Sequence, residues 1–223
     1  MTKTNQQKVK DFLINNGVII VMFILVIYTG FTSDNFFTKN NFMNILMNMS
    51  SRLVIALGIA GCVITAGCDL SAGRMIGFGA CISGMLLQRM DYSGKFFPDM
   101  QPLNVFVVAL IAMLVCAAFG TVTGFFIAYL NVPPFIATLA MMEIVYGIGL
   151  IVTNATPLGG YVEQYTNVSN GKFLGINYLI WIAIIVAAIT WFIFNMTRHG
   201  KYMYAIGGNP QAAEVAGVPV KAT

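Results

Sequence analysis

The chain has 223 residues, of which 58% are hydrophobic and 9% charged, with a mean hydropathy of +0.79; soluble domains carry about 25% charged residues. This excludes a water-soluble globule, a disordered chain and a fibre, and 22 Gly beside 17 Phe and 14 Met suit helices packed in lipid. The net charge of +4 is spread over several loops and offers no concentrated basic face for nucleic acid.

A helix crossing about 30 Å of hydrocarbon needs about 20 apolar residues, because each advances 1.5 Å and every backbone polar group must be bonded internally. On that scale the sequence predicts an all-α, polytopic transmembrane helical bundle with about six spans. After Lys3, Lys8 and Lys10 the first runs from Phe12 to Phe31 with no small-residue cleavage site behind it, so it reads as a retained span and not a signal peptide. The second covers Ile45 to Ala66 and the third, shorter one Met75 to Gln88, where a re-entrant segment is the alternative to a full crossing. The fourth runs from Leu103 to Leu130 and carries Gly120, Gly124 and Ala128 at four-residue spacing, a face of small side chains that lets another helix approach, as Ala80 and Gly84 do in the third. Asn131, Val132, Pro133 and Pro134 interrupt the apolar run, since prolines remove donors and push the preceding residue out of helix. The fifth span covers Phe135 to Val152, a polar loop fills Thr153 to Asn177, and the sixth covers Tyr178 to Asn195. Period-two alternation is absent, which gives no β-barrel signal.

Lys and Arg collect on the cytoplasmic side, so the three N-terminal lysines predict a cytoplasmic N-terminus. Six crossings return Arg198, Lys201 and Lys221 to that side and leave the 153–177 loop, with Lys172, outside; Arg52 counts with the outer connections. Cys62, Cys68, Cys81 and Cys116 lack metal or redox spacing and read as packing residues. Triplets beginning at Asn48, Asn154, Asn167 and Asn195 carry no weight without a secretory context.

Three stretches stand out. The first, Ala66 to Arg74, is a charged, glycine-punctuated break in which Gly67 ends one helix and Asp69 or Ser71 caps the next. It reads either as an ordinary cytoplasmic turn or as a broken helix beside a transport path, braced by an Asp69–Arg74 pair. The second is Glu143, a lone acid in an apolar run whose insertion costs about 2.5–3.5 kcal/mol. It must face a cavity, find a partner or be protonated, unless it sits near enough to the boundary to reach water. Third, Asn209 caps, Pro210 suits a first helical position, and Gln211 to Ala216 form a short helix ended by Gly217, an extramembrane handle on the basic side.

Gln211-Ala212-Ala213 followed by Gly217 resembles the EAA-type loop of importer permeases, the coupling helix that docks on an ATPase subunit. Gly207-Gly208-Asn209-Pro210, the 69–74 stretch and Val132-Pro133-Pro134-Phe135-Ile136-Ala137-Thr138-Leu139 resemble the ribose and galactose permeases of the bacterial ABC sugar importers. The fit is best on the galactose and methyl-galactoside side, through Ile55 to Gly61, Ile127 to Val132 and Ile144 to Ile148. Gln211 stands where the EAA name implies Glu, and relatives of this kind continue past Thr223 through further helices, so the chain is expected to be an N-terminal portion.

The resemblance implies one transmembrane permease domain over 1–223 with a cytoplasmic coupling loop at 198–223, in the bacterial inner membrane. ATPase coupling falls to Gly207, Gly208, Asn209, Pro210, Gln211, Ala212, Ala213 and Gly217; Asp69, Ser71, Arg74 and Glu143 are the candidates for the translocation path. No phosphate loop of the G-x-x-x-x-G-K-[ST] kind occurs, so ATP is expected to be used by a separate ABC ATPase subunit and no cofactor is expected on this chain. The other expected partners are a periplasmic sugar-binding protein, a second permease copy and membrane lipid. A proton-coupled secondary sugar carrier, leaning on Glu143 and Asp69, is the alternative. An intramembrane enzyme has little support: His199 stands alone, no H-E-x-x-H or G-x-S-x-G motif occurs, and no catalytic or metal-binding set is expected.

Overall fold

The computed structural model describes residues 13–14 and 16–223. Lys3, Lys8, Lys10 and the expected start of the first span at Phe12 lie outside the described residues. The chain forms two compact units, residues 1–48 and 49–223.

In the first unit, α1 (Gly17–Thr32) is followed by a turn in which the Asn41 amide donates to the Phe36 carbonyl at 2.8 Å. The Thr38 hydroxyl accepts from the Asn41 N–H at 3.3 Å, capping α2 (Lys39–Ile64), a 26-residue helix that continues into the second unit. Arg52, expected among the outer connections, is instead the fourteenth residue of α2.

The second unit is built around α3 (Ala72–Leu86), α4 (Val105–Leu130) and α5 (Pro134–Val152). Phe78 and Ile82 of α3 pack with Met141 and Val145 of α5, and the Phe119 ring of α4 closes the cluster edge-on to Phe78 at 5.7 Å. Asn104 caps α4 by accepting from the Phe106 N–H at 2.9 Å, and Asn131 ends it in the left-handed region at φ 54, a conformation Asn tolerates. Pro134 opens α5, where its missing N–H costs nothing.

The polar stretch expected as a long loop is structured. It holds α6 (Glu163–Asn170) and a two-residue hairpin, β1 (Lys172–Phe173) against β2 (Ile176–Asn177), turned through Leu174 at φ 53 and Gly175 at φ 79. Asn177 then caps α7 (Tyr178–Met196), accepting from the Leu179 N–H at 2.8 Å while its amide donates to Ser169 at 2.6 Å. The chain closes with α8 (Arg198–Gly208), α9 (Pro210–Val215) and a 3-10 turn at Val220–Ala222.

Four described helices, α2, α4, α5 and α7, are long and apolar enough to cross a membrane; α1 and α3 are shorter. Within their most apolar windows only 6% of α2, α4 and α7 and 22% of α5 are buried. Side chains such as Phe106 and Ile151 stand 85% and 77% exposed, a surface that lipid tolerates and water does not. Of the small residues, Gly84 packs against Leu158 and Tyr161 of the 153–177 stretch, while positions 120 and 124 of α4 have open space around them among the described residues.

Candidate functional site

The break between α2 and α3 is built by a Schellman motif. The Gly67 N–H donates to the Cys62 carbonyl at 2.8 Å and the Ala66 N–H to Val63 at 3.0 Å. The left-handed residue is Ala66 at φ 58, not the expected Gly67, which follows it. Beyond it residues 67–70 run without helix until the Asp69 carboxylate accepts from the Ser71 N–H at 2.8 Å and from its hydroxyl at 2.7 Å. Ser71 is buried at this turn and begins α3.

Two contacts set the depth of this segment along α5. The Thr138 hydroxyl donates to the Cys68 carbonyl at 3.4 Å, and the Arg74 guanidinium lies 4.0 Å from the centroid of the Tyr146 ring. Thr138 and Tyr146 are the fifth and thirteenth of the nineteen residues of α5, roughly 6 Å and 18 Å along a helix of about 28 Å. The break therefore climbs inside the span, and α3 starts beside the middle of α5. An ordinary turn at the membrane surface does not fit that placement. The expected Asp69–Arg74 ion pair does not form: among the described residues Asp69 bonds Ser71, and Arg74 stacks on Tyr146. Nothing among the described residues accepts from the backbone N–H groups of Cys68, Asp69 and Leu70. Irregular backbone at such depth persists only against protein or a water-filled cavity.

Glu143 is the tenth residue of α5, about 13 Å from either end, so it is not near the boundary. At 100° per residue it falls opposite the buried stripe of Thr138, Met141 and Val145, and it is exposed on that face of α5 without an ion-pair partner among the described residues.

The handle near the C-terminal end has the expected geometry. Asn209 caps α9, its side chain accepting from the Ala212 N–H at 3.0 Å, and Pro210 is the first helical residue. The helix is closed by a second Schellman motif, with Val218 N–H donating to Ala213 and Gly217 N–H to Glu214, both at 3.0 Å, and Gly217 at φ 82. Ala213 is buried, whereas Gln211, Ala212, Glu214 and Val215 face outward, Val215 being 90% exposed. Gly207 and Gly208 end a further helix, α8, which the sequence reading missed; the signals for it were Thr197, whose hydroxyl accepts from the Gly200 N–H at 3.2 Å, and the apolar pair Met203 and Ile206. His199 is exposed in the first turn of α8, and the described residues hold no cluster able to ligate a metal.

Tyr146, Thr138 and Gln88 were also passed over. Gln88 is fully buried where α3 ends: its amide donates to the Gly159 carbonyl at 3.0 Å and its carbonyl accepts from the Phe96 N–H at 2.7 Å. Flanking bonds from Arg89 N–H to Gly160 and from Val162 N–H to Leu87, at 2.7 and 2.8 Å, tie the end of α3 and the 153–177 stretch into one platform. Tyr161 sits in it, and burial, followed by nearby Tyr165, Cys81 and Tyr92, pushes its phenol above the ordinary tyrosine value.

Long apolar helices, a span broken at depth and a capped helix outside the bundle together define a multi-pass α-helical membrane protein of the transporter kind. Residues 41–223 match the family described as branched-chain amino acid transport system / permease component, and the chain belongs to that permease family. It is 40% identical to the galactose/methyl galactoside import permease protein MglC of Escherichia coli strain K12, over 99% of this chain and 68% of that protein. The MglC protein of Salmonella typhimurium strain LT2 gives the same identity and the same coverage. The ribose import permease protein RbsC of Escherichia coli K12 is 31% identical over 95% of this chain and 63% of that protein. No solved structure matches. These relatives are transport components and not enzymes.

Proposed function

We propose that the chain is the membrane-spanning permease of an ATP-driven importer that carries galactose or a methyl galactoside across the bacterial inner membrane. One observation carries this above all: 40% identity along 99% of the chain to proteins named for that import. The amino acids in the family's description weigh less, because the relatives matched along nearly the whole chain are named for sugars. The same likeness speaks against the proton-coupled carrier.

Residues 198–223 form the cytoplasmic coupling segment, on the side of the N-terminus. There Asn209, Pro210 and Gly217 shape α9, buried Ala213 seats it, and the outward Gln211, Ala212, Glu214 and Val215 meet a groove of the ABC ATPase subunit that uses the ATP. The platform around Gln88 faces the periplasm and the sugar-binding protein that delivers substrate. A second permease copy completes the translocator, and lipid covers the exposed apolar faces. The path runs along the 67–74 segment and α5, past Asp69, Ser71, Arg74 and Glu143. What supports this is the row of free N–H donors at 68–70, which need water or sugar hydroxyls as partners. ATP binding closes the ATPases, α9 carries the movement, and the spans turn from outward to inward opening.

The test is reconstitution of the permease with its ATPase and binding protein in proteoliposomes. Galactose uptake that requires ATP, with hydrolysis stimulated by sugar-loaded binding protein, is expected. Uptake driven by a pH gradient without ATP overturns the proposal.

A further inference from the structure

The last turn of α8 lies directly on the last turn of α2. A Cβ placed on Gly207 would overlap the carbonyl oxygen of Ile64, and would come within 3.0 Å of its carbonyl carbon and 3.5 Å of the Thr65 Cα. One turn earlier on each helix, a Cβ on Gly61 would meet the Met203 methyl at 3.0 Å, and Met203 is buried. Because backbone meets backbone at Gly207, no side chain there can rotate aside to absorb a displacement.

The other end of α8 is equally close. A Cβ on Gly200 would overlap the carbonyls of Ile193 and Phe194, so the start of α8 is fixed against the end of α7. Helix α8 is therefore held at Gly200, bears on α2 at Gly207, and joins α9 through Asn209. Ile64 is the last residue of α2, and the non-helical segment with free N–H donors begins just past it. A push on α9 thus has a backbone-to-backbone route through α8 to the break at 65–71, beside a second route through the 3-10 turn at Val220–Ala222, which packs on α4.

We infer that Gly207 is the joint through which the coupling helix moves the broken segment at 65–71, a positioning residue for transport that acts through Ile64 and not by touching the ATPase. The inference rests on the coupling function proposed for α9. A two-position element of this kind turns a small shift into opening or closing, since packed seams move between discrete arrangements.

The experiment uses the reconstituted importer with Gly207→Ala, and with Gly58→Ala as the control, because a Cβ at position 58 of α2 meets nothing within 4 Å. Gly207→Ala is expected to lower ATP-dependent galactose uptake by about tenfold, within the usual range of coupling between sites. Its ATPase subunit still co-purifies and still hydrolyses ATP, and Gly58→Ala transports like the parent. Parent-level uptake in Gly207→Ala, equal losses in both variants, or loss of the ATPase from Gly207→Ala overturns the joint.

A second measurement separates transmission from simple misfolding. With Cys62, Cys81 and Cys116 replaced by Ser, the exposed Cys68 is the only thiol left in the chain and reports on the segment. Its maleimide labelling is expected to differ several-fold between ATP-free and vanadate-trapped importer, and to lose that difference on Gly207→Ala. Labelling that ignores the nucleotide state in the Gly207 background overturns the joint. Failure of the ATPase to co-purify with the parent permease overturns the coupling function itself, and the joint with it.

Discussion

The guanidinium of Arg74 lies over the ring of Tyr146, 4.0 Å from its centroid, and so ties the start of α3 to the second half of α5. A cation over an aromatic face contributes about 0.5–1 kcal/mol at an exposed site and more where water is scarce. Tyr146→Leu is expected to lower the melting midpoint of the detergent-solubilised permease, whereas Tyr146→Phe, which keeps the ring, stays close to the parent. Arg74→Ala should cost about as much as Tyr146→Leu, and the double variant little more than either alone. Additive losses would mean that the two side chains act separately.

The platform at the end of α3 depends on Gln88, which satisfies Gly159 and Phe96 with one side chain. Gln88→Leu takes the partner from the half-buried Gly159 carbonyl and Phe96 N–H, at a cost of about 1 kcal/mol each. The expected outcome is protease cleavage in the 153–177 stretch of the detergent-solubilised permease at a rate about tenfold above the parent. Gln88→Glu keeps an acceptor for Phe96 but sets a buried, unpaired carboxyl group against the Gly159 carbonyl, and should be cleaved at least as fast as Gln88→Leu.

Much of this architecture was legible in the residues. Continuous apolar runs placed the spans, Pro134 and Asn131 marked one boundary, and Asn209, Pro210 and Gly217 specified α9 almost completely, because caps and left-handed positions are local properties of the chain. What escaped was set by tertiary contact. Gly207 and Gly208 look like a flexible linker, yet they end a helix because Gly207 meets the Ile64 backbone. Arg74 looked like a partner for Asp69 five residues away, but Asp69 turns its carboxylate onto Ser71 and Tyr146 offers Arg74 a ring that lies far off in the sequence. The depth of the break was equally invisible, since it is fixed by which α5 residues stand beside Cys68 and Arg74.

Gly217 closes α9 at φ 82, where a side chain is strained. Gly217→Ala is expected to cost about 1 kcal/mol of local stability, and Gly217→Asn less, because Asn visits this region more readily. The consequence should fall on coupling: galactose uptake drops several-fold while membrane insertion is unchanged. A charge at buried Ala213, as in Ala213→Glu, is expected to act more severely by unseating the helix. Unimpaired uptake in both variants would remove α9 from the coupling step.

Tyr161 gives the platform a dependence on alkaline pH. Its phenol is held above the ordinary value, first by burial, so the folded platform keeps its proton to higher pH than the unfolded chain. Below about pH 10 both states are protonated and the contribution is complete; as pH rises through the folded value the unfolded state is favoured and stability is lost. Protease sensitivity of the 153–177 stretch should therefore rise above about pH 10 in the parent. Tyr161→Phe keeps the ring but loses the hydroxyl's 2.9 Å bond to Leu158, and is expected to be weaker at neutral pH with a flatter alkaline profile. An identical alkaline profile in this variant would assign the sensitivity to another group.

Glu143 stands in the middle of α5 on the side away from the packed core. A carboxylate at that depth costs about 2.5–3.5 kcal/mol on insertion scales, so a residue there must meet water or protein outside the packed α3–α5 cluster. On the proposed path Glu143 supplies a polar group, and the amide of Glu143→Gln retains hydrogen-bonding capacity for that purpose. Uptake by this variant is expected to keep the greater part of the parent rate and an unchanged pH profile, whereas Glu143→Leu, which dries that stretch of the path, should lose several-fold. A proton-coupled carrier would behave in the opposite way, because Gln cannot exchange a proton. Abolished uptake in Glu143→Gln, together with a parent rate that follows an imposed pH gradient, would therefore return the transport energy to protons and leave α9 without a motor to serve.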